Sequence, residues 1–203
     1  MKRSGDPEAL IRCLTTGGVA LMATDTLPGL HARIDTPAAV ARIQALKGRD
    51  AGKPLLVLAA SLEAAAPWLA ERPARVDQYI RRCWPGPFTL VLKASAAASR
   101  AVTGGRGTLA VRVPQPPALR EALLQVGVPI VSTSANAAGE LPAPTLLEAA
   151  EAFGERVDLV SDLAWSPVSK TLPVPSTLVD LTLWPPVVLR PGEGIVPDWS
   201  DIR

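Results

Sequence analysis

The chain has 203 residues, 48% of them hydrophobic and 20% charged, with a formal net charge of +2; this excludes a disordered chain and confines any basic patch to a local feature. Two cysteines, Cys13 and Cys83, stand far apart without metal-ligand spacing and read as buried thiols of a reducing compartment. Met1-Lys2-Arg3 leads into Ser-Gly-Asp-Pro rather than an apolar core, and no apolar run is long enough to span a membrane, so a cytoplasmic location without membrane partners is expected.

Asp6-Pro7-Glu8 opens a first helix through Leu10, Ile11 and Leu14, closed by Gly17-Gly18. Val19 to Ala23 predicts a strand that ends at Thr24-Asp25-Thr26-Leu27-Pro28-Gly29-Leu30, read as a polar turn. Hydroxyls at a strand end are where α/β folds commonly place ligand contacts, but turn capping explains the same residues without function and is the slightly favoured reading of one Thr-Asp-Thr. Thr36-Pro37 then starts a helix with a hydroxyl N-cap and a proline at the first helical position.

That helix runs into Lys47-Gly48-Arg49-Asp50-Ala51-Gly52-Lys53-Pro54-Leu55, where three cations fall within seven residues, and then into a buried strand at Leu55 to Leu58. Glycines there let the backbone approach a ligand closely, and cations suit phosphate. A solvated basic loop is the plain reading of such a run. A Walker loop is excluded: Gly48 to Gly52-Lys53 is one residue short, and Pro54 stands where Ser or Thr must hold magnesium.

Helices are expected over 62–71 and 73–84, punctuated by Pro73 and Pro85, and Pro85-Gly86-Pro87 forces a turn before a strand at Phe88 to Lys93. Ser95 to Gly107 reads as a mobile polar loop ending in Gly104-Gly105-Arg106-Gly107. Leu109 to Val113 is a strand carrying Arg112 inside an apolar run, so Arg112 must meet a carboxylate of the protein or face a bound anion. Pro117 to Val126 reads as a helix. The strand at Pro129-Ile130-Val131 runs into Ser132-Thr133-Ser134-Ala135-Asn136, with more hydrogen-bonding groups than one turn uses for capping. Thr145 to Phe153 is a helix. Strands follow at Val157 to Val160 and Thr177 to Leu181 with a loop between, and Val187-Val188-Leu189 leads into Arg190. The tail from Glu193 offers only a final turn. The length allows one large domain or two small ones, and the mixture of elements predicts an α/β domain with a mixed, twisted sheet.

The polar clusters converge on one concave site for an anionic ligand. His31 is the sole histidine, and neither cysteine has an obvious base, which argues against a hydrolase. No His/Cys/Asp spacing marks a resident metal. Cations and hydroxyls suit phosphoryl or nucleotidyl transfer.

The ordered set of motifs resembles the YrdC/TsaC family, the threonylcarbamoyl-adenylate synthases of tRNA modification, over residues 8 to 195. Its carriers are Thr24-Asp25-Thr26 with Gly29-Leu30, Lys47-Gly48-Arg49 with Lys53-Pro54-Leu55, and Trp84-Pro85-Gly86-Pro87 with Thr89. Further carriers are Val111-Arg112-Val113-Pro114, Ser132-Thr133-Ser134-Ala135-Asn136 with Gly139, Pro175-Ser176-Thr177 with Val179-Asp180, and Arg190-Pro191-Gly192. The resemblance implies a single YrdC-like domain over residues 1–203, flanking helices on a twisted mixed sheet, and a short form without the extra C-terminal domain of longer members. It implies that L-threonine, bicarbonate (or CO2) and ATP with Mg2+ give threonylcarbamoyl-AMP and pyrophosphate, the product passing to tRNA adenosine 37 through partner proteins of a transferase complex.

By position, Lys47, Arg49, Ser134 and Asn136 match the family's Lys-x-Arg and Ser-x-Asn signature around the nucleotide phosphates, Lys47 and Arg49 as catalytic cations. Lys53, Thr108 and Arg190 match further nucleotide contacts. Thr26, Arg112, Ser132 and Ser176 match positions around threonine. Ala23, Pro28 and Leu58 depart from the family, which usually has proline, an aromatic and often histidine there. The rival expectation is a double-stranded RNA or tRNA-binding module of the same fold, weakened by few aromatics and no RNA-binding motif.

Overall fold

A computed structural model describes residues 2–48, 52–137, 139–163 and 174–202. Among these residues ten strands form one sheet: β1 (Arg3–Ser4), β2 (Ala20–Met22), β3 (Gly29–Arg33), β4 (Leu56–Leu58), β5 (Phe88–Lys93), β6 (Thr108–Arg112), β7 (Ile130–Ser134), β8 (Leu159–Ser161), β9 (Thr177–Asp180) and β10 (Val187–Arg190). Their order across the sheet is β1-β8-β2-β3-β7-β4-β6-β5-β9-β10, with parallel and antiparallel pairs mixed. The expectation of a mixed α/β sheet with flanking helices is met.

Helices α1 (Pro7–Thr15), α2 (Pro37–Leu46), α3 (Leu62–Ala65), α4 (Ala74–Cys83), α5 (Arg100–Thr103), α6 (Pro117–Val126) and α7 (Leu146–Phe153) surround it. Local chemistry sets several starts. Asp6 accepts from the Glu8 amide to cap α1, and Thr145 both accepts from the Glu148 amide and donates to its carboxylate to cap α7.

Directly paired residues of neighbouring strands share a face, and this register divides the sheet. One face carries Leu21, Leu30, Val57, Leu90, Val111 and Val131, packed under α2, α4 and α7. On the other face, α1 and α6 cover Ala20, Met22, Leu58, Ile130 and Leu159. That second cover stops short. Gly29, Ser132, Ser134, Ala110 and Arg112 are on the same face by pairing but line a cavity instead of a core.

Four expectations are corrected. Thr36 precedes α2, but its hydroxyl makes no capping bond and reaches Asp35 instead. The helix expected over 62–71 ends at Ala65 and passes into a 3-10 turn, because Pro67 has no amide to continue the ladder. The loop expected from Ser95 to Gly107 contains α5, stopped by Gly104 at φ 62°. The segment read as a polar turn up to Leu30 starts a five-residue strand, β3, at Gly29. The loop expected between β8 and β9 lies partly outside the described residues.

Candidate active site

The axis of the site is β6. Thr108, Ala110 and Arg112 alternate onto one face and line a cavity of about 500 Å3. At the usual strand rise, Thr108 and Arg112 stand about 13 Å apart along β6. The trough therefore extends about 13 Å or more along β6, and a buried arginine stands at only one of these two positions.

Arg112 forms the inner end and is 2% exposed. Its Nη1 donates to Asp25 Oδ1 at 2.6 Å, and its Nη2 reaches Thr24 Oγ1 at 3.4 Å. Asp25 Oδ2 also accepts from the Gln115 amide. Burial pushes the guanidinium below its ordinary pKa; Asp25 and the charge of Glu193 pull the other way. Arg112 Nε is buried without a hydrogen-bond partner among the described residues. Both branches expected for this arginine thus have a physical basis, since a protein carboxylate holds one side of the fork and the cavity borders the residue.

Hydroxyls surround that end. Thr26, Ser132 and Ser176 all line the cavity. Thr24 Oγ1 accepts from the Thr26 amide and sits 3.2 Å from the Thr26 hydroxyl, which fixes the turn after β2. Ser176 is buried and shares a 2.7 Å hydrogen bond with Thr89. Arg190, on the sheet-edge strand β10, donates to the Ser176 carbonyl at 2.9 Å and lines the same cavity.

The floor passes through Gly29. A Cβ there would lie 2.7 Å from the Thr133 carbonyl and 3.1 Å from His31 Nε2, so only glycine lets β3 meet β7 at this point. His31 lies beneath, fully buried, with neither ring nitrogen in hydrogen-bond geometry. Burial drives its pKa down to about 3, with Met22's backbone opposing and the nearby Arg112 charge reinforcing. A neutral imidazole so placed does no acid-base work near neutrality. The thiols are equally quiet, since burial raises Cys83 to about 12 and Cys13 to about 11.

Behind Ser134, Lys47 closes α2 and is 4% exposed; neither it nor Asn136 is among the residues that line the cavity. Its Nζ donates to the Ser134 carbonyl at 2.5 Å and to Asn136 Oδ1 at 3.0 Å, while Ser134 Oγ donates to the same Asn136 oxygen at 2.5 Å. Asn136 Nδ2 is spent on the Ala137 and Glu140 carbonyls. Lys47, Ser134 and Asn136 thus form one network, of which Ser134 reaches the cavity. Lys53 is exposed and is not among the residues that line the cavity. Arg49 lies outside the described residues.

The residues missed by the sequence reading are one partner, Asp25, and three that line the cavity. Asp25 stood inside a quoted motif without a role, and nothing local said that it reaches across to β6. Thr89 and Asp180 belong to the lining because β5 and β9 pair in parallel. Arg106, in the glycine-rich loop before β6, also lines the cavity.

The profile of the Sua5/YciO/YrdC family, described as Telomere recombination, matches residues 12–192. A threonylcarbamoyl-AMP synthase of Pyrococcus abyssi is 38% identical over 87% of this chain, which spans about half (51%) of that relative's length. One from Halorhodospira halophila is 42% identical over 71% of this chain and 76% of its own. Among solved structures, P. abyssi Sua5 complexed with L-threonine superposes with a TM-score of 0.82 at 34% identity, covering 94% of this chain and 56% of that one. With a profile match over most of its length and identities well above 30%, the chain belongs to the Sua5/YciO/YrdC family.

Proposed function

We propose that the chain is a threonylcarbamoyl-AMP synthase, a nucleotidyltransferase acting on L-threonine, bicarbonate or CO2, and ATP. The observation that carries this reading is the two-ended trough along β6, with a buried arginine among hydroxyls at one end. Names of the relatives, and the threonine complex of P. abyssi Sua5, support it.

In this reading threonine occupies the inner end, its carboxylate near Arg112 and its polar groups near Thr26, Ser132 and Ser176. Arginine suits a carboxylate because its fork offers parallel donors. The threonine amine adds to CO2, or to bicarbonate with loss of water, to give a carbamate. A carbamate oxygen then attacks the α-phosphorus of ATP, forming the P–O bond of threonylcarbamoyl-AMP as the bond to pyrophosphate breaks. The chain's part is to align the two anions and offset their charge: Lys47, Arg49, Ser134 and Asn136 at the phosphates, with Lys53, Thr108 and Arg190 as further nucleotide contacts. ATP enters as its magnesium complex, with the ion carried on the phosphates. Among the described residues no group of three His, Cys, Asp or Glu side chains is placed to hold a resident metal.

The reading extends to residues 1–203 as one catalytic unit with a concave basic site, working in the cytoplasm and passing its adenylate to tRNA through partner proteins. Among the described residues no helix is long and apolar enough to cross a membrane. The test is pyrophosphate release from ATP, with threonine, other amino acids and bicarbonate omitted or exchanged in turn. Release that requires both threonine and bicarbonate is expected. Release indifferent to either, alongside salt-sensitive RNA binding unaffected by ATP, would favour the RNA-binding module instead.

A further inference from the structure

We propose that Arg106 binds the β- and γ-phosphates of ATP, the part that leaves as pyrophosphate, from a glycine-flanked loop at the outer end of the trough. The proposal rests on the synthase reading and adds a residue to it.

Three observations place Arg106 there. It lines the same cavity as Thr108 and Arg112, and it is the next cavity-lining residue outward from Thr108 on the same chain segment. Its side chain makes no ion pair or hydrogen bond among the described residues, whereas Arg112 is held by Asp25 and Arg190 by the Ser176 carbonyl. An exposed guanidinium beside a cavity, with its donors uncommitted, is available to an entering anion.

The loop itself supplies the third. Gly104, Gly105 and Gly107 all adopt positive φ, so Arg106 is carried on backbone that other residues rarely adopt. A Cβ on Gly104 would meet the Gly52 carbonyl at 2.5 Å and the Pro54 nitrogen at 2.9 Å, and the Leu55 amide bonds the Val102 carbonyl at 2.8 Å. The glycine-rich loop is thereby pressed against the connection from α2 to β4, the same connection that begins at Lys47 and carries Lys53. Two loops that are remote in sequence meet at the outer end, where Arg106 and Pro54 both line the cavity. The outer end lies about 13 Å or more from Arg112 along β6, so an amino acid held at Arg112 leaves Arg106 beside the distal phosphates of a nucleotide sharing the trough. One guanidinium can take two phosphate oxygens through parallel donors.

The experiment compares the 203-residue chain with its Arg106→Ala and Arg106→Lys variants. Arg106 is exposed, so thermal melts of both should match wild type. In threonine- and bicarbonate-dependent pyrophosphate release, Arg106→Ala is expected to raise the KM for ATP about tenfold or more, the scale of one charge-assisted hydrogen bond. The KM for threonine should stay unchanged, and Arg106→Lys should restore part of the loss. Calorimetric titration with inorganic pyrophosphate and with AMP needs no turnover. Pyrophosphate affinity should fall by a similar factor in Arg106→Ala while AMP affinity holds. Loss of pyrophosphate affinity in a chain without synthase activity would uphold the phosphate site and overturn the synthase reading. Unchanged pyrophosphate binding would overturn the proposal whatever the activity. Equal losses for AMP, pyrophosphate and tRNA, all erased by salt, would also overturn it by making Arg106 a steering charge.

Discussion

Arg112 Nη1 lies 2.6 Å from Asp25 Oδ1, with side-chain exposures of only 3% and 10%. A charge inside an apolar strand survives folding because a carboxylate comes with it from the turn after β2. The same contact orders that turn against β6 and leaves the Nε edge of the fork uncommitted.

Arg112→Leu should therefore fail twice. It strands Asp25 in a nearly closed site, at a cost on the order of 3–5 kcal/mol, and it removes the partner proposed for the threonine carboxylate. Arg112→Lys separates the two effects, since it keeps a charge near Asp25 but loses the planar fork. Thermal melts should show a small loss for the lysine variant, while steady-state kinetics show a large rise in threonine KM and little change for ATP. A folded lysine variant with normal threonine KM would make Arg112 purely structural.

His31 gives a pH prediction with a definite sign. Its unfolded pKa is near 6.5, and burial lowers the folded value to about 3. Between those values the unfolded chain binds the proton and the folded chain does not. Stability should be fully present above about pH 6.5 and fall as the pH drops towards 3, approaching about 1.4 kcal/mol per pH unit. His31 is the sole histidine, and carboxylates remain ionised above about pH 5. Denaturant unfolding of wild type and His31→Leu between pH 5 and 7 isolates the effect. The leucine variant should show a much flatter profile, and equal slopes would disprove the assignment.

Much of this arrangement was legible in the residues because local chemistry agreed with the fold. The capped starts of α1 and α7, the glycine pair that closes α1, and the apolar strands β5, β6 and β7 follow their sequence signals closely. β3 escaped because Gly29, His31 and Ala32 are weak strand formers, and tertiary pairing on both sides holds them extended. The site was legible as a set of polar clusters but not as a geometry. Nothing near Lys47 predicts that its ammonium reaches Asn136, and nothing near Arg112 selects Asp25 over another carboxylate; both contacts join segments more than 80 residues apart.

The floor makes a third prediction. A methyl group at Gly29 would press on the Thr133 backbone oxygen, which belongs to β7 and cannot rotate away. Gly29→Ala should part β3 from β7 locally and cost about 1–3 kcal/mol, the range for overpacking a close contact. Because Gly29 also lines the cavity, turnover should fall even well below the melting temperature. An alanine variant with unchanged melting temperature and turnover would show that the strands yield without consequence.

The strongest test of the chemistry lies in the Lys47, Ser134 and Asn136 network. If these groups only tie a loop, Ser134→Ala should cost about 1 kcal/mol of stability and leave activity intact, as a lost cap does. If they offset charge on the phosphates, the order reverses: melting changes little, and the rise in melting temperature on adding ATP shrinks. Lys47→Met should then lower kcat by about a hundredfold or more at saturating ATP, the scale of losing one preorganised donor, because a cation that binds tighter in the transition state acts on kcat rather than on KM alone. The shared Asn136 oxygen adds a sharper criterion. Once Lys47 is gone, Asn136 has less to orient, so the Lys47→Met/Asn136→Ala double variant should lose much less than the product of the single losses. Pyrophosphate release by the four proteins, at saturating threonine, bicarbonate and ATP, closes that cycle. Multiplicative losses would mean that the two side chains act independently, and wild-type turnover by Lys47→Met would leave the ammonium as a structural tie between α2 and β7.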